Sequence, residues 1–471
     1  MFDAAVSQRG GDEAGGAAPL PGGPRAPAAV QTVEWLLRPA AMLERNRRRH
    51  GSIFRLSLGP ARNVAVIADA GAAKQVVRGD PDAFRAGDPN GVFRNVVGDS
   101  SILVLDGPEH LEQRRLLLPA FAADHVRGFA RAIEDVTRGR VESWPSGTPF
   151  PLQPEMEAIS FETILRVSFG GRRDRRHEQL RRLIPEMMDR CGSPILMLPW
   201  FRQDLGGLSP AAKTRALIAR IDELLFDLIG ERRREPLSQL EGDVVAMLAR
   251  AQHEDGSELT DAEIRDEVLT LLMAGYETTT SALAWAFERL LRSPAAFTRL
   301  RDELDRDEEV YLDAVVKEVL RMRPVIPVVA RRLRTPASLG GFTFPAGWIL
   351  MACIYLLHRD PEIYPEPERF RPERFLPGEP EPAIWLPFGG GVRRCLGAGL
   401  AQLEIKTVLR TVLREASLRA VGGADEPAVR RRFTFAPRHG ARVVSEPLAR
   451  EAPRRRRFVP EPASSRPRTR L

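Results

Sequence analysis

Between Phe388 and Leu400 the chain reads FGGGVRRCLGAGL. Three glycines, two arginines and a cysteine precede a run in which Leu396, Leu400, Leu403, Val408 and Leu409 carry helical spacing. Glycines let a backbone pass close to a flat object and take dihedrals that other residues avoid. A sulfur at the mouth of a helix meets free N–H groups and positive partial charge, which lower a thiol pKa and stabilise a thiolate. Arg393 adds a cation able to hold an anionic group. A nucleophilic cysteine would need a histidine base, and the sequence does not indicate which histidine could serve, whereas a thiolate bound to iron needs none. Cys191 and Cys353 lack such neighbours and read as small buried apolar residues.

A second stretch breaks its own context. AGYETTTSA, Ala274 to Ala282, puts a glycine, an acid and three threonines inside a helical pattern. Glycine costs about 1 kcal/mol relative to alanine in a helix interior, and threonine hydroxyls bond back to the preceding turn. The flanking segments are apolar on most faces, so the helix is buried, and a buried Glu277 beside a buried Thr278 is costly without a partner or a task. The reading that follows is that Gly275 opens the helix for a bound molecule while Glu277 and Thr278 relay protons to it.

The elements that must position these residues are largely helical. TDAE at Thr260 to Glu263 is a capping box. From there apolar residues recur through Leu290 until Ser293-Pro294, predicting a helix of about thirty residues and roughly 45 Å. IFRLSL, the turn GPARN and VAVIA predict a hairpin from Ile53, and GGFTFPAGWI marks a second strand region at Gly340 to Ile349. Without βαβ alternation or internal repeats, the fold class is mainly α with small β-sheets. One domain is expected over residues 31–449, between Gly/Ala/Pro-rich residues 1–30 and an Arg-rich tail, 450–471, both predicted to be disordered.

Of 70 basic residues 66 are arginine and the net charge is +7, yet nearly as many acids are interspersed and few aromatics lie among the arginines. That argues against a nucleic-acid partner and for an acidic protein partner. Three widely spaced cysteines without zinc spacing suit a reducing cytoplasm. No run of eighteen apolar residues predicts a transmembrane segment.

FGGGVRRCLG resembles FxxGxRxCxG, the haem-binding signature of the cytochrome P450 family, and AGYETT resembles its A-G-x-[DE]-T-T motif. HLEQR (His110 to Arg114), EVLR (Glu318 to Arg321) and PERF (Pro372 to Phe375) follow in the family's order. The resemblance implies haem b between the long helix and the cysteine loop. It implies Cys395 as the iron ligand, with Phe388, Gly389 and Gly397 in the binding loop. Ala274 and Gly275 would face the haem, and Glu277 and Thr278 would deliver protons. It implies that His110, Arg114 and Arg393 hold the haem carboxylates, with Arg331 in the same role and Arg332 an adjacent candidate. Glu318, Arg321 and Arg374 would form a structural ion network.

The implied function is a monooxygenase inserting one oxygen atom of O2 into a lipophilic small molecule of fatty acid, terpenoid or polyketide type. Lacking any flavin or nicotinamide fingerprint, the chain needs a separate ferredoxin or flavodoxin as electron donor. The alternatives are a haem peroxygenase or a haem isomerase, against which the Glu277-Thr278 pair argues, and a non-catalytic haem sensor, for which no DNA-binding or signalling module is visible.

Overall fold

The computed structural model describes residues 19–447, apart from 60, 173, 194–208, 237–242, 377, 379 and 383. The long helix runs Asp261–Leu291, 31 residues, and starts at the expected capping box. Thr260 Oγ1 accepts the Glu263 N–H at 3.2 Å, and Glu263 Oε2 accepts the Thr260 N–H at 2.7 Å. Two of the first orphan donors are thereby satisfied. Trp285 and Phe287 are fully buried on this helix, and the largest apolar cluster gathers around it. The helix Gln153–Phe169 packs along its flank.

Strands Ile53–Leu58 and Ala61–Ile67 form the predicted hairpin, with Ile53 opposite Ile67. The hairpin continues into a five-stranded sheet through Ile349–Ala352, Val329–Leu333 and Phe84–Arg85. The second strand region is also present, as Ala337–Leu339 paired with Phe342–Phe344, followed by Ile349–Ala352. Val329–Leu333 matters most for the site because its alternation turns Arg331 inward, buried, and Arg332 outward.

Residues 19–30, part of the segment expected to be disordered, are described and contact the fold. A helix begins at Ala28, and Gly22 accepts the Arg55 N–H at 2.9 Å. A Cβ at Gly23 would lie 2.3 Å from the Arg55 carbonyl oxygen, so the glycine lets this segment lie against the first strand. Residues 1–18 and the Arg-rich tail lie outside the described residues. Among the described residues no helix is long and apolar enough to cross a membrane.

Candidate active site

The cysteine loop leads into the helix Ala398–Glu415, with Gly397 at its N-cap. Gly389 and Gly391 take left-handed dihedrals, φ 63° each. A Cβ at Gly390 would lie 2.8 Å from Val77 Cγ1, and one at Gly391 2.5 Å from the Val77 carbonyl oxygen. These two glycines therefore seat the loop on the end of helix Ala70–Arg78, and do not serve approach to a flat molecule. Only Gly389 is open on its Cβ side, with nothing nearer than 3.9 Å.

The Cys395 N–H donates to the Phe388 carbonyl at 2.9 Å, closing the loop. The residue is exposed although protein crowds its sulfur. Burial pushes the thiol pKa up, against the expectation that the helix mouth lowers it. The Gly397 N–H, Arg114 and Arg394 act in the expected direction but do not outweigh the lost hydration.

Beside the loop, Val77, Phe84, Asp106, His110, Arg331 and Arg393 line one small pocket. His110 is buried, and its Nε2 has no hydrogen-bond partner among the described residues. Burial, then the charges of Arg393 and Arg114, push its pKa down to about 3, so the imidazole is neutral. Arg331 is pushed down to about 10 by burial and by Arg393. Arg114 is half-buried and likewise lowered by burial; among the described residues it has no ion pair. Asp106 is the one carboxylate that lines this pocket. Its Oδ1 accepts from Arg393 at 2.6 Å and from the N–H groups of Ala86 and Gly87 at 2.9 and 3.0 Å. Arg332, by contrast, pairs with Asp88 at 3.3 Å on the other face of the strand. Desolvated cations around an orphaned imidazole, with too little negative charge, fit a ligand that brings carboxylates. Asp106 escaped sequence reading, although its place before Gly107-Pro108 at a helix start was a usable signal.

On the long helix every residue from Ile264 to Leu290 is buried except Leu271, Ala274, Gly275 and Thr278. Their spacing is i, i+3, i+4 and i+7, a single stripe. Thr278 Oγ1 donates back to the Ala274 carbonyl at 2.6 Å. The helix is continuous, and a Cβ at Gly275 would lie 2.7 Å from Ile164 Cδ1. The glycine thus admits the neighbouring helix at this point of the stripe. Glu277 lies off the stripe, and among the described residues no hydrogen bond joins it to Thr278. Its Oε1 accepts from the Phe433 N–H and from Thr434 Oγ1, both at 3.1 Å. Burial pushes its pKa up to about 7, against the Phe433 N–H and Arg432, which favour the charged form.

One segment ties helix and loop together. Ser100 N–H donates to Asp266, Ile102 N–H to Glu267, and Ser101 Oγ lies 2.6 Å from Thr270 Oγ1. The carbonyls of Ile102 and Leu105 then accept from Arg393. Beneath the loop, Glu318 holds Arg321 through two bonds of 2.7 and 2.9 Å and Arg374 at 3.1 Å. Arg321 also donates to the carbonyl of His358 at 2.7 Å. His358 Nε2 accepts the Leu386 N–H at 3.0 Å, which makes Nδ1 the protonated nitrogen facing the Arg321 carbonyl. The ion network therefore reaches the start of the cysteine loop.

A mainly helical fold that presents a crowded cysteine, a helix stripe and a cationic, carboxylate-seeking pocket defines a haem-thiolate enzyme. The cytochrome P450 family model matches residues 21–440, and the chain belongs to that family. It is 36% identical over 435 residues to cytochrome P450 135B1 of Mycobacterium tuberculosis, covering 90% of this chain and 91% of that protein. It is 37% identical over 426 residues to cytochrome P450 138 of the same organism, covering 90% and 96%. Among solved structures it resembles the retinoic acid bound cyanobacterial CYP120A1, with TM-score 0.81, 26% identity and coverage of 92% and 100%. The cytochrome P450DA haem domain shares the fold, with TM-score 0.79, 22% identity and coverage of 92% and 98%. The chain is a cytochrome P450 monooxygenase, and the family's cofactor is haem b.

Proposed function

We propose that the chain inserts one oxygen atom of O2 into a lipophilic small molecule in the cytoplasm, with electrons from a separate acidic ferredoxin or flavodoxin. The observation that carries this reading is the Leu271, Ala274, Gly275, Thr278 stripe on an otherwise buried helix of a fold that also presents Cys395. Haem, when bound, supplies the reductive activation of dioxygen. Cys395 would ligate its iron, Phe388, Gly389 and Gly397 shape the loop around that sulfur, and His110, Arg114, Arg331 and Arg393 would hold its carboxylates.

Thr278 Oγ1 holds a proton on the stripe, and Glu277 is the acid that replenishes it after leaving its resting contacts. An acid near neutrality both gives and regains a proton readily, which is what burial does to Glu277. By the family resemblance residues 90–103, 187–201, Met273 and Ala274, 325–329 and 433–435 would line the substrate pocket, and the apolar residues among them support a lipophilic substrate of fatty acid, terpenoid or polyketide type. Phe93 meets Phe433 edge-on at 5.0 Å, Met273 is buried, and Val325 is buried nearby in the same cluster. Met187 is buried too, but residues 194–201 of that expected wall lie outside the described residues. Arg393 points into the pocket beside Asp106, so of the two loop arginines the exposed Arg394 is the one left for a redox partner.

Two measurements test the reading. Dithionite-reduced protein under carbon monoxide should show the strongly red-shifted Soret band of thiolate ligation, which Cys395→Ser should abolish. Thr278→Ala should divert reducing equivalents into hydrogen peroxide; peroxide release unchanged from the parent would refute the proton role, and a parent protein that consumes no reducing equivalents would favour a peroxide-using enzyme, an isomerase or a sensor.

A further inference from the structure

The turn between strands Ala428–Arg431 and Thr434–Pro437 wraps the flank of the long helix opposite Glu277. Thr434, Ser281 and Glu277 are 1%, 1% and 4% exposed, so water does not compete freely for their hydrogen bonds. Thr434 Oγ1 lies 3.1 Å from Glu277 Oε1, 3.2 Å from the Arg431 carbonyl and 2.9 Å from Ser281 Oγ. A threonine hydroxyl has one proton to give. When Glu277 is charged the carboxylate is the stronger acceptor, and Ser281 can donate to Thr434 in turn. When Glu277 is protonated, the Thr434 proton can go to the Arg431 carbonyl instead.

The turn is firmly held. Arg432 takes a left-handed φ of 47°, costly for a side-chain residue, and is anchored on three sides. It donates to Tyr276 Oη at 2.6 Å, to Glu157 at 3.0 Å and to Asp189 at 2.7 Å. A Cβ at Gly192 would lie 2.7 Å from Arg432 Cβ, so helix Arg175–Cys191 closes directly onto it. The charged and titratable groups around Glu277 are Arg430, Arg431 and Arg432 on the turn, Tyr276 on its own helix, and, one contact further, Glu157 and Asp189. Thr434 Oγ1 is the side-chain donor placed at hydrogen-bond distance from the carboxyl oxygen, 3.1 Å away.

We propose that Thr434 is a positioning residue for the oxygen chemistry: its hydroxyl, backed by Ser281, parks Glu277 on the flank of the long helix and stabilises the carboxylate there. Phe433, the next residue, supplies the second bond through its N–H and packs on Phe93. The resting place of the acid is thereby built into a wall of the proposed substrate pocket. The functional half of this inference rests on Glu277 being the acid that delivers protons.

The test compares Thr434→Val, which keeps the shape and removes the hydroxyl, with Thr434→Ser, which keeps it. In resting holoprotein the carboxyl stretch of Glu277, identified by its loss in Glu277→Gln, is titrated by infrared difference spectroscopy. Thr434→Val should raise the midpoint by about one pH unit, the size of a hydrogen bond to a charged group. Thr434→Ser should leave it near that of the parent, and Ser281→Ala should move it by less in the same upward direction. An unchanged midpoint in Thr434→Val, or in Ser281→Ala should the valine variant not fold, overturns the proposal. In turnover, Thr434→Val should raise peroxide released per electron pair several-fold. A shifted midpoint with unchanged peroxide would uphold the positioning by Thr434 and refute Glu277 as the acid.

Discussion

At the scale of single residues, the glycine of AGYETT answers to a packing demand that composition does not reveal. Gly275 is a misfit in a helix interior, and the misfit is resolved by Ile164 of the neighbouring helix. Replacing it by alanine improves helix propensity by about 1 kcal/mol. The new methyl meets Ile164 Cδ1 and Cγ1 at 2.7 and 3.0 Å, and overpacking of this kind costs about 1–3 kcal/mol. Gly275→Ala should therefore lower the melting temperature. Ile164→Val, which deletes Cδ1, should recover part of the loss in the double variant, a non-additivity that a melting series would reveal. If Gly275→Ala melts at or above the parent temperature, the helix contact is not what requires glycine.

At the scale of elements, two polar clasps hold helices in register. Glu318 on helix Val310–Met322 is fully buried between Arg321 and Arg374 and also accepts the Arg371 N–H at 2.8 Å. Removing it strands two guanidinium groups, a loss of about 3–5 kcal/mol. Glu318→Ala should melt early and purify with little haem. Full haem content and a parental melting curve would show that the network is dispensable. The second clasp is His253, whose ring lies 3.1 Å from Glu112 on helix Gly107–Leu117 and 3.3 Å from Glu263 on the long helix. Burial acts to lower its pKa, but the hydrogen bond to Glu112 and the charges of Glu263 and Glu112 together raise it above the usual histidine value. A raised folded-state pKa means that the clasp contributes fully below the unfolded value, about 6.5, and fades as pH climbs through the folded value. The melting advantage of the parent over His253→Gln should thus be largest near pH 6 and shrink toward pH 9. A gap that is constant or widens with pH would show that His253 does not act through its charge.

At the scale of the whole molecule, the net charge of +7 and the exposed Arg394 beside the cysteine loop favour encounter with an acidic electron donor. Reduction by an acidic ferredoxin or flavodoxin should slow as salt is raised past about 0.1 M, where the screening length falls to roughly 10 Å. A rate indifferent to salt would place recognition elsewhere.

Much of this molecule is legible in the order of its residues. The capping box, the extent of the long helix, the hairpin at Ile53 and the helix beginning after Cys395 follow from spacing and caps, because each signal is complete within a few turns of one element. The clustered glycines, arginines and cysteine likewise announce the family, since its signature is concentrated in ten consecutive positions. What the folded chain alone decided are meetings between distant positions. Thr434 reaches Glu277 across 157 residues, and Arg393 reaches Asp106 across 287. Arg331 was separated from Arg332 by which face of one strand turned inward. Gly390 and Gly391 were claimed by Val77, and the burial around Cys395 outweighed the helix mouth. Such contacts leave no period in the sequence, because they depend on which surfaces the packed elements bring within a hydrogen bond or a methyl group of each other.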